Sequence, residues 1–191
     1  MIVIIFICIA FSILYGIIHD QITARICVEY FTIGHPPVFG TDDPTLLGIG
    51  WGIIATWWVG LLLGIPLAFA ARVGRRPKRS VGSLLRPIVT LLGVMAASAV
   101  LAGAIGGILG KTGMVFLVGS LAREVPKERH VPFLVDLWAH SASYFVGFVG
   151  GLIVIARVWR SRRQTTGVGE DPTGQTITPA VLGEPPLSKE G

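Results

Sequence analysis

Two short stretches of this sequence hold the side chains able to do chemistry. One is HDQITARICVEYFTIGHPP, residues 19–37, which begins with adjacent His19 and Asp20. The other is DLWAH, which places Asp136 and His140 four residues apart. On a helix that spacing puts both side chains on one face, where a carboxylate can orient an imidazole or share a metal ion with it. Imidazole nitrogens with carboxylate oxygens form a ligand set for divalent transition metals, and the same groups without a metal can handle protons near neutral pH. The candidate metal ligands are therefore His19, Asp20, Asp136 and His140. His35, Glu124, Glu128 and His130 lie on flanking segments within reach. No residue stands out as a catalytic nucleophile or base, so whether the protein is an enzyme is left open. The competing reading is polar anchoring, because ionisable side chains cost less at a membrane boundary than at its midplane.

Several other chemistries are excluded by spacing. If residues 17–33 form one straight helix, His19, Thr23, Ile26 and Tyr30 share a face, and Arg25 is placed to pair with Glu29. His19 and Glu29 then stand about 15 Å apart along the axis, so this segment cannot bind a metal alone. Cys8 and Cys27 are too far apart along that helix for a disulfide, and Cys27 has no CxxC partner. Haem is disfavoured: only His19 and His140 lie at matched depth, and no CxxCH motif is present. GGILGKTG looks like a phosphate-binding loop, but the position five before Gly110 is Ile105 rather than glycine. Lys111 reads instead as a cation at a helix C-terminus.

The elements that must position these residues are membrane helices. The chain is 52% hydrophobic and 14% charged, against about a quarter charged in soluble domains. Four apolar runs emerge, predicting helices over about 2–33 (including an extension beyond the bilayer), 46–71, 88–109 and 131–159. Asp43 is the expected N-cap of the second, with Pro44 at its first position. Trp138 and Trp159 lie about 31 Å apart at helical rise, matching two aromatic belts around a hydrocarbon core. The first run lacks a positive n-region and a small-x-small cleavage site, so a retained helix is expected.

Arginine and lysine placement predicts orientation. Arg72, Arg75, Arg76, Lys78, Arg79 and Arg86 lie between helices two and three, and Arg157, Arg160, Arg162 and Arg163 close helix four. Both groups belong inside. The expectation is an all-α integral membrane four-helix bundle over residues 1–163 with both termini cytoplasmic, in a bacterial inner membrane. Residues 164–191, rich in Thr, Gly, Pro and Glu, form a disordered cytoplasmic tail. His19 and His140 then meet at equal height on the non-cytosolic side.

The net charge of +5 is explained by topology, which excludes a nucleic-acid partner. The bilayer is the first partner, with anionic headgroups drawn to the 72–86 loop. Glycine pairs four apart (Gly60/Gly64, Gly103/Gly107, Gly106/Gly110 and Gly147/Gly151) favour close helix packing within the chain, with homo-oligomerisation as the other use. Helices two and three carry no central ionisable residue, which argues against a pore or transporter. The preferred functional expectation is a non-enzymatic multi-pass protein, a subunit or accessory of a membrane complex with an outward polar cap. The alternative is a membrane-bound metal-dependent enzyme or redox protein using His19, Asp20, Asp136 and His140.

Overall fold

The apolar runs fold as helix because a backbone buried in lipid must satisfy its own hydrogen bonds. The computed structural model describes residues 1–162, together with the two-residue strands Gly169–Glu170 and Thr176–Ile177, which pair antiparallel. The rest of the stretch expected to be a disordered tail, 164–191, lies outside the described residues. Among the described residues, four segments are helical, long and apolar enough to cross a membrane: Ile2–Ile26, Pro44–Arg72, Gly82–Lys111 and Lys127–Ser161.

The first segment is α1 (Ile2–Ile26), and it does not continue straight to residue 33. Cys27 adopts an extended conformation (φ −147°, ψ 95°), and a short α2 (Val28–Thr32) leaves in a new direction. No proline or glycine causes this. Instead Arg129 donates to the Ile26 carbonyl (3.0 Å), satisfying a helix-end acceptor, and pairs with Glu29 (2.9 Å). The expected Arg25–Glu29 pair therefore does not form. Arg25 donates to the Gln21 carbonyl and side chain and to the Thr45 hydroxyl.

The second segment is α3 (Pro44–Ile54) followed by α4 (Trp57–Arg72). Asp43 caps it: one carboxylate oxygen accepts from Thr45 and Leu46 backbone N–H groups at 2.9 Å each. The interruption between α3 and α4 falls where the Thr56 hydroxyl donates back to the Gly52 carbonyl, a bond that bends helices. The third segment, α5 (Gly82–Lys111), starts six residues earlier than its apolar run and carries Pro87 in its second turn. Between α5 and the last segment lie α6 (Gly119–Glu124) and a 3₁₀ turn, Lys127–Arg129. The last segment is α7 (His130–Ser161).

The long helices pack as two pairs. α1 lies along α3 and α4, while α5 lies along α7; α4–α7 contacts join the pairs, and α1 and α5 barely touch. Glycines set the approach distances. A Cβ on Gly52 would sit 2.5 Å from the Ile17 nitrogen, and one on Gly60 2.6 Å from the Ile9 Cα, so only glycine lets α1 lie this close to α3 and α4. Gly106 likewise admits the Trp138 ring of α7, and Gly151 admits Leu63 of α4.

Two apolar cores result, one at each end. Cys27, Tyr30, Phe31, Leu47, Trp51 and Phe133 belong to the core at the end carrying loops 33–43 and 112–129. Ile4, Leu67, Ala68, Leu84, Ile88 and Val158 belong to the core at the arginine-rich end. The polar residues of interest lie between them.

Candidate metal centre

α1 and α7 carry the site. A Cβ on Gly48 would come within 3.0 Å of the Asp20 backbone, so this glycine lets α3 press α1 towards the interior at that depth. The Tyr15 hydroxyl is hydrogen-bonded to the Ser143 hydroxyl at 2.9 Å, one turn further along both helices. This bond fixes the register in which His19 and Asp20 of α1 face His140 of α7. The His19 and His140 rings meet edge to face, with centroids 4.5 Å apart.

Three side chains converge. His19, Asp20 and His140 each offer a ligand atom, and all three atoms lie within 4.8 Å of one another. Asp20 and His140 are buried, at 5% and 7% exposure. His140 Nδ1 lies 2.8 Å from the Asp136 backbone carbonyl. A carbonyl can only accept, so Nδ1 carries a hydrogen and the neutral ring has its lone pair on Nε2. That lone pair faces Asp20 Oδ1 at 3.2 Å. Two acceptors at this distance need a proton or a cation between them. Metal bonds of about 2.0–2.1 Å at a tetrahedral angle separate neighbouring ligand atoms by about 3.3 Å, which the Asp20–His140 pair matches, while the full set with His19 lies within 4.8 Å. The ring anchored to a carbonyl through its far nitrogen is also how metal-ligating histidines are oriented.

His19 adds a further sign of an incomplete site: its Nε2 is buried without a hydrogen-bond partner. Tyr15 stacks on its ring at 5.7 Å, and Thr23 donates to its carbonyl at 3.1 Å, so the residue is held although that nitrogen is idle.

The structure brings together His19, Asp20 and His140 but not the carboxylate of Asp136. Asp136 is fully buried, both its carboxylate oxygens lack partners, and it reaches the cluster only through its carbonyl. The flanking candidates also lie elsewhere. His130 Nε2 donates to the Val125 carbonyl (3.0 Å), Glu124 and Glu128 are exposed, and His35 Nδ1 donates to the Tyr30 carbonyl (2.8 Å). Burial lowers the pKa of His35. Burial, reinforced by a hydrogen bond to Glu29, pushes the Cys27 thiol up to about 12, so it is no thiolate ligand at neutral pH. A porphyrin between His19 and His140 would need two metal–nitrogen bonds of about 2 Å plus both ring radii, more than their 4.5 Å separation provides.

Above the cluster sits an aromatic roof. Tyr30 stacks on His140 with centroids 4.5 Å apart, Phe31 meets the same ring edge-on at 5.8 Å, and Phe133 packs on Tyr30 at 5.3 Å. Sequence reasoning missed this roof because it depends on the turn at Cys27. It also missed the Tyr15–Ser143 tie, although Tyr15 lies four residues before His19 and Ser143 three after His140, spacings that mark shared helix faces.

No family model, curated protein or solved structure matches this chain.

Proposed function

We propose that the protein is a multi-pass integral membrane protein of the bacterial inner membrane, with four crossings and both termini cytosolic. His19, Asp20 and His140 hold a divalent metal ion at the non-cytosolic boundary. The observation that carries this reading is the convergence of three N/O ligand atoms within 4.8 Å. His140 has its Nδ1–H engaged by the Asp136 carbonyl, which turns its Nε2 towards Asp20 and the proposed metal position. The basic residues gathered at the far end support the orientation.

Three protein ligands leave a coordination position open, the arrangement of catalytic rather than closed structural sites. Two imidazoles and one carboxylate suit zinc, which activates a bound water, or non-haem iron, which handles oxygen. The protein is read as a membrane-bound metal-dependent enzyme or redox protein. In it His140 and His19 bind through nitrogen, Asp20 supplies the negative charge, the Asp136 carbonyl fixes the His140 ring, and the aromatic roof excludes bulk water.

Elemental analysis of protein purified without chelator tests this. One zinc or iron per chain, lost in His19→Ala and Asp20→Asn, is the expected result; zinc would select the hydrolytic branch and iron the redox branch. Absence of stoichiometric metal after reconstitution with either ion would overturn the reading. The accessory-subunit reading drew on glycine-rich faces, and Gly103, Gly106, Gly107 and Gly110 of α5 are engaged by α7 within the chain. It keeps one test: cross-linking in native membranes that traps a stoichiometric partner while metal is absent would reinstate it.

A further inference from the structure

The cluster is covered towards the loops and is flanked on the lipid side by a groove that a thin wall divides from it. The aromatic roof covers His140, with Phe31 and Phe133 only 2% and 1% exposed. Within the helices, a cavity of about 110 Å³ touches His19, Asp20 and His140 and continues between apolar side chains such as Phe11, Leu63 and Met95. A second hollow, a lateral groove of about 550 Å³, lies between α1 and α5, the two long helices that barely meet. Cavity and groove share Phe11, Tyr15, His19 and Leu92, so His19 and Tyr15 stand in the wall between them.

The groove has the character of a lipid seat. Its α5 wall is cut back to Gly93, Ala96, Ala99, Gly103 and Ala104, and its rim is apolar and open, with Leu14, Ile18, Ile22 and Val100 more than half exposed. At this depth the only solutes are bilayer components. A hydrocarbon chain gains little by leaving lipid for an equally apolar groove, because lipid tails are as apolar as leucine. Affinity must therefore come from the other end of the molecule, and the polar group within reach is the cluster behind His19. An open position on a divalent metal favours phosphoryl or carboxyl oxygen.

We infer that the ligand of the metal centre is a phospholipid that arrives sideways from the bilayer, one acyl chain in the α1–α5 groove and its phosphate oxygens at the His19, Asp20 and His140 centre. This rests on the metal reading above. The chain positions the molecule, while the head supplies selectivity.

The test uses the full chain in nanodiscs of phosphatidylethanolamine and phosphatidylglycerol, doped with a phosphatidylglycerol carrying a diazirine on one acyl chain. Irradiation and peptide mass spectrometry map the adducts, and metal content is measured on the same samples. The expected result is labelling at Leu14, Ile18 and Ala96 about tenfold above that at Phe145 and Leu152 on the exposed face of α7. Gly93→Leu fills the groove at a position where a Cβ meets nothing, so folding is spared. It should abolish the excess labelling while metal content stays at wild-type level; Ala96→Leu is the second such variant. Even labelling of all lipid-facing helices with metal bound would overturn the inference and leave the metal centre standing. Excess groove labelling in protein that binds no metal would overturn the metal centre, and with it the assignment of the head group.

Discussion

The two ends of this molecule bury polar groups in opposite ways. At the arginine-rich end, Arg162 is 1% exposed, yet its Nε, Nη1 and Nη2 donate to the carbonyls of Pro77, Ala70 and Arg76 at 2.8, 2.7 and 2.8 Å. Arg72 Nε and Arg76 Nη1 are buried there without partners, as His19 Nε2 is at the other end, so the difference lies in Arg162, whose donors are all engaged. At the other end, His19 Nε2 and both Asp136 oxygens are buried with nothing to bond, and His140 Nε2 faces Asp20 Oδ1 at 3.2 Å, a contact that a shared proton or a cation completes. Burying polar atoms without partners costs free energy, so it persists where something other than the chain's own stability is served. The Arg162 cluster joins helix ends; the unpartnered atoms at the other end are what the proposed metal site would use.

The sharpest way to break this contrast is at Arg162. Arg162→Met keeps the length of the side chain and strips its donors, leaving carbonyls of the α4 end and following loop unsatisfied. It should cost about 3–5 kcal/mol, read as a lowered unfolding midpoint in mild detergent, with metal content of the surviving folded protein unchanged. An unchanged midpoint would show that the cluster holds nothing together.

The ligand cluster should respond the other way. His19→Leu in metal-free protein removes an idle nitrogen and should leave stability within about 0.5 kcal/mol of wild type or raise it. The same variant should lose metal affinity by at least about a hundredfold, since even outer-shell partners are worth roughly 10- to 100-fold. Zinc at a hundred times its Kd should stabilise wild type by about 2.7 kcal/mol and leave His19→Leu unmoved; a shift of equal size in both would place the ion elsewhere.

Two smaller effects sharpen the assignment. Asp136→Asn retains the carbonyl that holds His140 and should weaken metal binding by less than about tenfold, against a near-complete loss for Asp20→Asn; equal losses would return the Asp136 carboxylate to the ligand set. Cys27, its thiol held up at about 12 by burial and Glu29, stays protonated at pH 8.5 and should resist iodoacetamide in folded protein while reacting on unfolding. Rapid labelling at that pH would mean the turn after α1 opens readily.

Much of the architecture was legible because bilayer thickness and helical rise are fixed lengths. They located four apolar segments, matched the depths of residues 19 and 140, and left Asp43 and Pro44 as an evident helix start. The turn at Cys27 was not legible. Nothing local breaks a helix there; the cause is Arg129, about a hundred residues away in sequence, and the burial of Tyr30 and Phe31 against His140. Asp136 misled because helical spacing reports which face a residue occupies, not whether its carboxylate or its carbonyl does the work. Arg162 read as one more positive charge, because arginine density reports membrane sidedness and cannot single out the residue that turns inward.

That inward turn has a consequence for biogenesis. The carbonyls of Ala70, Arg76 and Pro77 are synthesised 85 to 92 residues before the guanidinium that satisfies them. Until the ribosome has released Arg162, the seam between the ends of α4 and α7 has no clasp, and water must serve those acceptors. Closure at this end is therefore a late event in assembly, and a nascent chain stalled before Arg162 would leave a quality-control protease its opening.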